Sequence, residues 1–411
     1  MKDHLEFKKQ LWDIVDRRKE ELLEICSELI RIPSVEEDGI DQIAEYTSSF
    51  LKNLGISCEI LHPVDRIPCI VAEIGRKDGP VGILNGHQDV VAAGDLSRWN
   101  YDPFCGTITE TQILGRGASD MKCGVGVFLF LLKLIQEEGL QLKGSLRLHL
   151  VHDEEKGGEK GSKWLVEHGY ADGASFCLNG EPTSYDYVEI GQKGRVRYEL
   201  VTRGADAFDQ MVRVLHGVRT LCQLDGTVTP SEKTVVEASK KVICHAMKLD
   251  DVGDAIDHVN VSILKIEKTE DGKGCRAFVA LGVPFMITQE QVDDRIAQSV
   301  ADAKADCQVT CLYWQSGAGT EISDPLVQSV KANAELVTGR TMTPAYQWAT
   351  SDAKYYRNHG IPTIHFGPSN NKGIHSYNED VEIVDIMKCA KTHLAVIADL
   401  IGFEQEEENH D

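Results

Sequence analysis

The sequence predicts an α/β protein in which a mainly parallel sheet with helices on both faces is interrupted by a smaller ferredoxin-like α+β domain. Three observations carry this expectation. Short apolar runs alternate with amphipathic helical runs up to about Gly191, the order of elements then changes to strand, helix, strand, strand, helix, strand, and the α/β rhythm resumes near Thr320. The predicted boundaries are 1–191 and 317–411 for the two parts of the larger domain and 192–316 for the inserted one.

Each element has a local reason. Residues 7–31 place Leu11, Ile14, Val15, Leu22, Leu23, Ile25, Leu29 and Ile30 at helical spacing before Pro33, which predicts one opening amphipathic helix. Ile40–Leu54, Val125–Gln136 and Lys160–Glu167 also read as helices. Between them Ile67–Ile74, Val81–Asn85, Ser145–His152 and Ser175–Asn179 are short apolar runs that suit strands buried on both faces. In the insertion, Arg195–Thr202, Val259–Ile266, Cys275–Val283 and Gln308–Trp314 read as strands, with helices at Ala207–Leu221 and Gln289–Ala303. Helices at Pro325–Thr338, Asp352–His359 and Asp385–Ile401 and a strand at Pro362–Phe366 complete the chain.

Composition narrows the function. The chain has 411 residues, 42% hydrophobic, with a formal net charge of -22, which argues against nucleic-acid or anionic-membrane partners. The longest nearly apolar run, Val125–Ile135, is too short to span a bilayer, and the charged N-terminal stretch lacks a leader's apolar region, so a cytoplasmic protein is expected. Its 12 cysteines include no CxxC pair and read as reduced, mostly buried thiols; Cys307 and Cys311, four apart, read as core residues.

The ionisable residues cluster where strands end. His87 and Asp89 follow one apolar strand, Glu154 and Glu155 another, Glu181 a third, and His375 lies in the loop after a fourth. Ligands of open α/β sheets bind outside the carboxyl ends of the strands. Two imidazoles with several carboxylates, and no thiolate, suit zinc, manganese or cobalt. Asp120, in the Gly-rich loop LGRGASDMKCG, adds a carboxylate able to bridge two ions. If one of Glu154 and Glu155 binds metal, its neighbour is placed to take a proton from bound water, and Asp89 to fix the tautomer of His87.

The segments GHQDVV, GRGASDMKCG, HDEEKGG, NGEPTS, ATSDAKYY and GIHSYNEDVEI, in this order, resemble the signatures of the zinc amidohydrolase family of acetylornithine deacetylase, succinyl-diaminopimelate desuccinylase, carboxypeptidase G and aminoacylase. The resemblance covers nearly the whole chain and implies a catalytic α/β domain with an inserted lid domain that carries a homodimer interface. It makes Asp120 the bridge between two zinc ions, with His87 and Glu181 completing one site and Glu155 and His375 the other. Glu154 corresponds to the general base, Asp89 to the residue orienting His87, and the peptide after Asp120 is expected to be cis. A metal-bridging hydroxide would attack the amide carbonyl of a small-molecule substrate.

The lid departs from that family. The His-containing loop that normally follows its first strand, and whose His stabilises the oxyanion in the partner subunit's site, is missing. The strand runs directly into DAFDQMVRVLHGV, leaving only His216, inside a predicted helix. Ala280 and Gly282 stand where the family has an acid and a carboxylate-binding Arg, and the Asn of the neighbouring turn is not evident around Gly272–Gly274. An oxyanion donor is worth about 100- to 1000-fold in rate. A standard N-acyl amino acid is therefore expected to be a poor substrate. The expected function is hydrolysis of a small N-acyl amino acid or related amide with changed substrate recognition, with dipeptidase or carboxypeptidase activity, or metal binding with little hydrolysis, as alternatives. Gly317, Gly319, Thr350, Ser351, Asp352 and Gly367 are expected along the substrate cleft.

Overall fold

Alternation of apolar β-formers with turn residues builds a sheet whose four central strands run parallel. The computed structural model describes residues 2–35, 39–64, 67–183, 187–226, 229–347 and 349–404. The chain divides into two compact units: Met1–Ile190, Thr320–Pro344 and Ser351–Asp411 form the first, Gly191–Gly319 and Ala345–Thr350 the second.

In the first unit the sheet order is Cys58–Val64, Ile67–Gly75, Ser145–Val151, Val81–His87, Phe176–Pro182, Thr363–Gly367 and then residues 187–190 of the Tyr187–Gln192 strand. The strands from Ser145–Val151 to Thr363–Gly367 pair in parallel, and antiparallel strands flank them. Both faces are covered. Ile83 and Cys177 pack with Val166 and Tyr356 from the short helices Ser162–Glu167 and Ala353–Asn358. On the other face Gly86 and Gly180 lie against Met121, Val125 and Phe128 of the segment that opens the Cys123–Glu137 helix and of the helix itself. That helix is buried along almost its whole length, which its uniformly apolar sequence requires. No helix of the described residues is long and apolar enough to cross a membrane.

In the second unit four antiparallel strands stand in the order Asn260–Lys268, Gly274–Val283, Gly194–Arg203, Cys307–Gln315, the ferredoxin-like arrangement. The helices Ala207–Arg219 and Gln289–Asp302 add Met211, Val214 and Ile296 to a core built on Val196, Tyr198 and Val279. Cys307 and Cys311 pack against that core half-buried.

Three sequence expectations need correction. The opening helix is two helices, Lys2–Arg17 and Lys19–Arg31, separated at Arg18, whose ψ of 18° leaves the helical range. The second unit contains an unpredicted helix, Pro230–Met247, started by a capping box between Thr229 and Glu232 with proline in the first turn. Gly191, residues 317–319 and Ala345–Thr350, expected with the larger domain, fall in the second unit.

Candidate metal centre

The parallel strands deliver their polar residues to one edge of the first unit's sheet. His87 is the last residue of its strand and almost fully buried. Its Nε2 lies 3.0 Å from Asp120 Oδ1 and 3.5 Å from Glu181 Oε1. The other carboxylate oxygen of Asp120, Oδ2, is 3.2 Å from His375 Nε2, which in turn is 3.0 Å from Glu155 Oε2. The donor atoms of His87, Asp120 and Glu181, and those of Asp120, Glu155 and His375, form two groups each close enough to hold one ion, and Asp120 belongs to both.

Local backbone features aim these side chains. The peptide bond between Asp120 and Met121 is cis. His375 adopts φ 54°, a left-handed conformation costing on the order of 1–3 kcal/mol outside glycine. Glu181 sits on its strand through a buried chain of amides: its N–H donates to Asn179 Oδ1 at 2.9 Å, and Asn179 Nδ2 to Asn85 Oδ1 at 2.7 Å. A Cβ on Gly367 would come within 2.0 Å of the Gly180 carbonyl oxygen, so only glycine lets the Thr363–Gly367 strand approach the segment carrying Glu181 this closely.

Asp89 contacts the second imidazole nitrogen of His87 mainly through its backbone. His87 Nδ1 is 2.8 Å from the Asp89 backbone oxygen and 3.6 Å from its carboxylate. The Asp89 carboxylate instead accepts the backbone N–H groups of Glu154 at 3.4 Å and Glu155 at 3.1 Å, fixing the turn that presents both glutamates.

The electrostatics fit a cation-binding donor set. Burial, followed by the nearby Glu181 charge, pushes the Glu154 carboxyl well above its ordinary pKa, and burial also raises Glu155. Glu181 rises to about 8 through burial and the charge of Asp120. Burial would raise Asp120 too, but hydrogen bonds from His375 and His87 outweigh it and hold that carboxyl low. His375 is pushed up to about 10 by Asp120 and Glu155. These carboxylates crowd one another around two imidazoles, and a pair of divalent cations would neutralise them.

The residues expected along a cleft make contacts within their own units. Backbone atoms of Gln192 and Gly194 pack on Gly317, the Phe285 ring packs on Gly319, and Thr350 Oγ1 accepts from Gln192 at 3.3 Å. In the first unit Ser351 Oγ is 2.7 Å from His365 Nε2, and Asp352 accepts from Ser162 at 2.6 Å. His216 is exposed on the Ala207–Arg219 helix. Ala280 and Gly282 lie on the Gly274–Val283 strand, Gly282 opposite Asn260 and Arg195. Sequence reasoning assigned no role to Glu379, whose carboxylate accepts the backbone N–H of Asp120 at 3.1 Å.

A parallel-centred α/β sheet ending in paired histidine–carboxylate groups defines a metal-dependent hydrolase. Comparison with known proteins narrows the class: the chain belongs to peptidase family M20/M25/M40, whose model matches residues 83–399, and the members of this family are metal-dependent amidohydrolases. It is 26% identical over 396 residues to succinyl-diaminopimelate desuccinylase of Rhodospirillum centenum, covering 91% of this chain and 95% of that one. Among solved structures it superposes on the M20 family metallo-carboxypeptidase Sso-CP2 of Sulfolobus solfataricus with a TM-score of 0.75 at 17% identity, covering 92% and 98% of the two chains. The YXEP protein of Bacillus subtilis, described as a dinuclear metal binding peptidase of the family, gives a TM-score of 0.67 at 14% identity, with 94% and 99% covered. At such identities the structural likeness establishes the fold.

Proposed function

We propose that the chain hydrolyses the amide bond of a small N-acyl amino acid or related amide, using two divalent ions and Glu154 as general base. The ions are zinc in the first instance, with cobalt or manganese as substitutes. The observation that carries this reading is Asp120, whose two oxygens face His87 and His375 and so join two ligand groups into one site. His87 and Glu181 complete one group, Glu155 and His375 the other. The desuccinylase relative, aligned over nearly its full length, supports an acyl-amide substrate, and the dinuclear description of the Bacillus subtilis protein supports two ions.

Bound divalent ions supply polarisation of the amide carbonyl and acidification of an attacking water. The remaining work falls to the protein. Glu154 is half-buried and has a raised proton affinity, the property that lets a carboxylate take a proton from water and return it to the departing amine nitrogen. Asp89 holds the backbone of Glu154 and Glu155, so base and ligand move together. We further propose that the second unit acts as a lid and carries a homodimer interface, supported by its exposed Phe208, Val212, Leu264, Ile266 and Leu312. Cytoplasmic residence is supported by the free state of all twelve cysteines.

Metal analysis should give close to two ions per chain, with Glu155→Ala and His375→Ala each lowering the number. Glu154→Gln should keep both ions and lose about 100- to 10,000-fold in turnover. Unchanged turnover in that variant would remove Glu154 from the mechanism. A panel of N-acyl amino acids, dipeptides and carboxylate-free amides, assayed with and without chelator, separates deacylase from peptidase activity. A panel without any chelator-sensitive turnover would leave metal binding without hydrolysis.

A further inference from the structure

The loop that carries Asp120 is bolted to the loop that carries His375 by one buried carboxylate. Glu379 lies four residues beyond His375 and is completely buried. Its Oε1 accepts the backbone N–H groups of Ser119 at 3.0 Å and Asp120 at 3.1 Å. Its Oε2 accepts from the guanidinium of Arg116, itself buried and 5.2 Å from the centre of the Trp99 ring. The Glu379 backbone oxygen takes a further N–H, from Gly115 at 2.9 Å. Ser119 tightens the same junction, donating to the Asp380 carbonyl at 2.9 Å and accepting the Asn370 N–H at 2.7 Å.

The geometry points to Glu379 as a positioning residue for the ion pair: it fixes the backbone from which Asp120 directs one oxygen to each ligand group, and sets that backbone against the His375 loop. This rests on the two-ion reading above. A carboxylate is required because both of its ends face donors. An amide of the same shape must turn its NH₂ either toward the Ser119 and Asp120 N–H groups or toward Arg116, and each choice sets donor against donor. Removing an outer partner of a metal ligand typically costs about 10- to 100-fold in ion affinity.

The test is a titration of the ion-free full chain with zinc, and separately with cobalt(II), whose visible absorption reports the ligand geometry. Glu379→Gln is expected to bind both ions about 10- to 100-fold more weakly than the parent and to alter the cobalt spectrum. In Arg116→Met with Glu379→Gln the amide can turn its oxygen back to the two N–H groups, so ion affinity recovers at least in part while resistance to urea stays low. A purely structural Glu379 predicts the opposite, affinity and stability falling and recovering together. Parent-like affinity in Glu379→Gln, or no recovery in the double variant, overturns the inference. If Glu379→Gln does not fold, Glu379→Asp replaces it, because the shorter side chain draws back from the N–H groups; weakened binding then supports the clamp and parent-like binding refutes it. A parent chain that binds no pair of ions would defeat the two-ion reading itself, a result distinct from any of these.

Discussion

The positions of the proposed ligands depend on residues outside the ligand set. Gly367 is one: a methyl group there would meet the Gly180 and Glu181 carbonyl oxygens at 2.0 and 2.6 Å, and backbone cannot step aside as a side chain can. Gly367→Ala is predicted to cost about 1–3 kcal/mol in urea unfolding of the ion-free protein and to weaken zinc binding, since the displaced strand carries Glu181. Unfolding and zinc titrations indistinguishable from the parent's would refute both parts. The grouping of His87, Glu155, Glu181 and His375 was legible in the sequence because each follows an apolar run, and the ends of parallel strands converge whatever lies between them; Asp120, in a Gly-rich loop, was placed with them by the family resemblance. Glu379 was not legible. Its partner Arg116 is 263 positions away, and nothing local distinguishes a clamp from an acidic turn. Asp89 was half legible: its place beside His87 was evident, but not that its backbone oxygen would serve the imidazole while its carboxylate held the glutamate turn.

Among the elements, strongly periodic or uniformly apolar segments could be read directly, and one helix whose clearest signal is its capping box was overlooked. The Pro230–Met247 helix announces its start through Thr229, Pro230 and Glu232, yet its apolar face is weak enough to pass for a connection. Thr229 accepts the Glu232 N–H at 3.2 Å and Glu232 reaches back to the Thr229 N–H at 2.9 Å. Thr229→Ala should therefore destabilise the second unit by about 1 kcal/mol, measured as a lower urea midpoint, with zinc binding unaffected. An unchanged midpoint would mean that packing alone sustains this helix. The break at Arg18 was invisible for a related reason. Both flanking helices keep the same apolar periodicity, and Arg18 is held by Glu21, Glu137 and Glu138 in contacts that only the folded chain supplies.

For the whole molecule, the crowded acids and imidazoles tie stability to pH and to ions in opposite senses. In the ion-free protein Glu181, pushed up to about 8 from an ordinary 4.5, and His375, pushed up to about 10 from 6.5, both bind protons more tightly folded than unfolded. Their contributions are complete below the unfolded values. They are lost as pH climbs, from 4.5 to about 8 for Glu181 and from 6.5 to about 10 for His375. At the proposed two-ion site, divalent ions would compete with those protons, so their stabilisation should grow over the same interval. Melting temperatures with and without zinc should diverge between about pH 6 and about pH 9, and curves that converge would contradict the shared site. The ligand order along the chain has one more outcome. His375 pairs with Glu155 across 220 positions, and the whole second unit, Gly191–Gly319 and Ala345–Thr350, is encoded between them. On the ligand set proposed above, a ribosome making this polypeptide from its N-terminus releases all three carboxylates, Asp120, Glu155 and Glu181, long before His375 emerges. Under the two-ion proposal, loading of the full pair is thus deferred to the closing moments of translation, and a product terminated before His375 is expected to lack hydrolytic capacity.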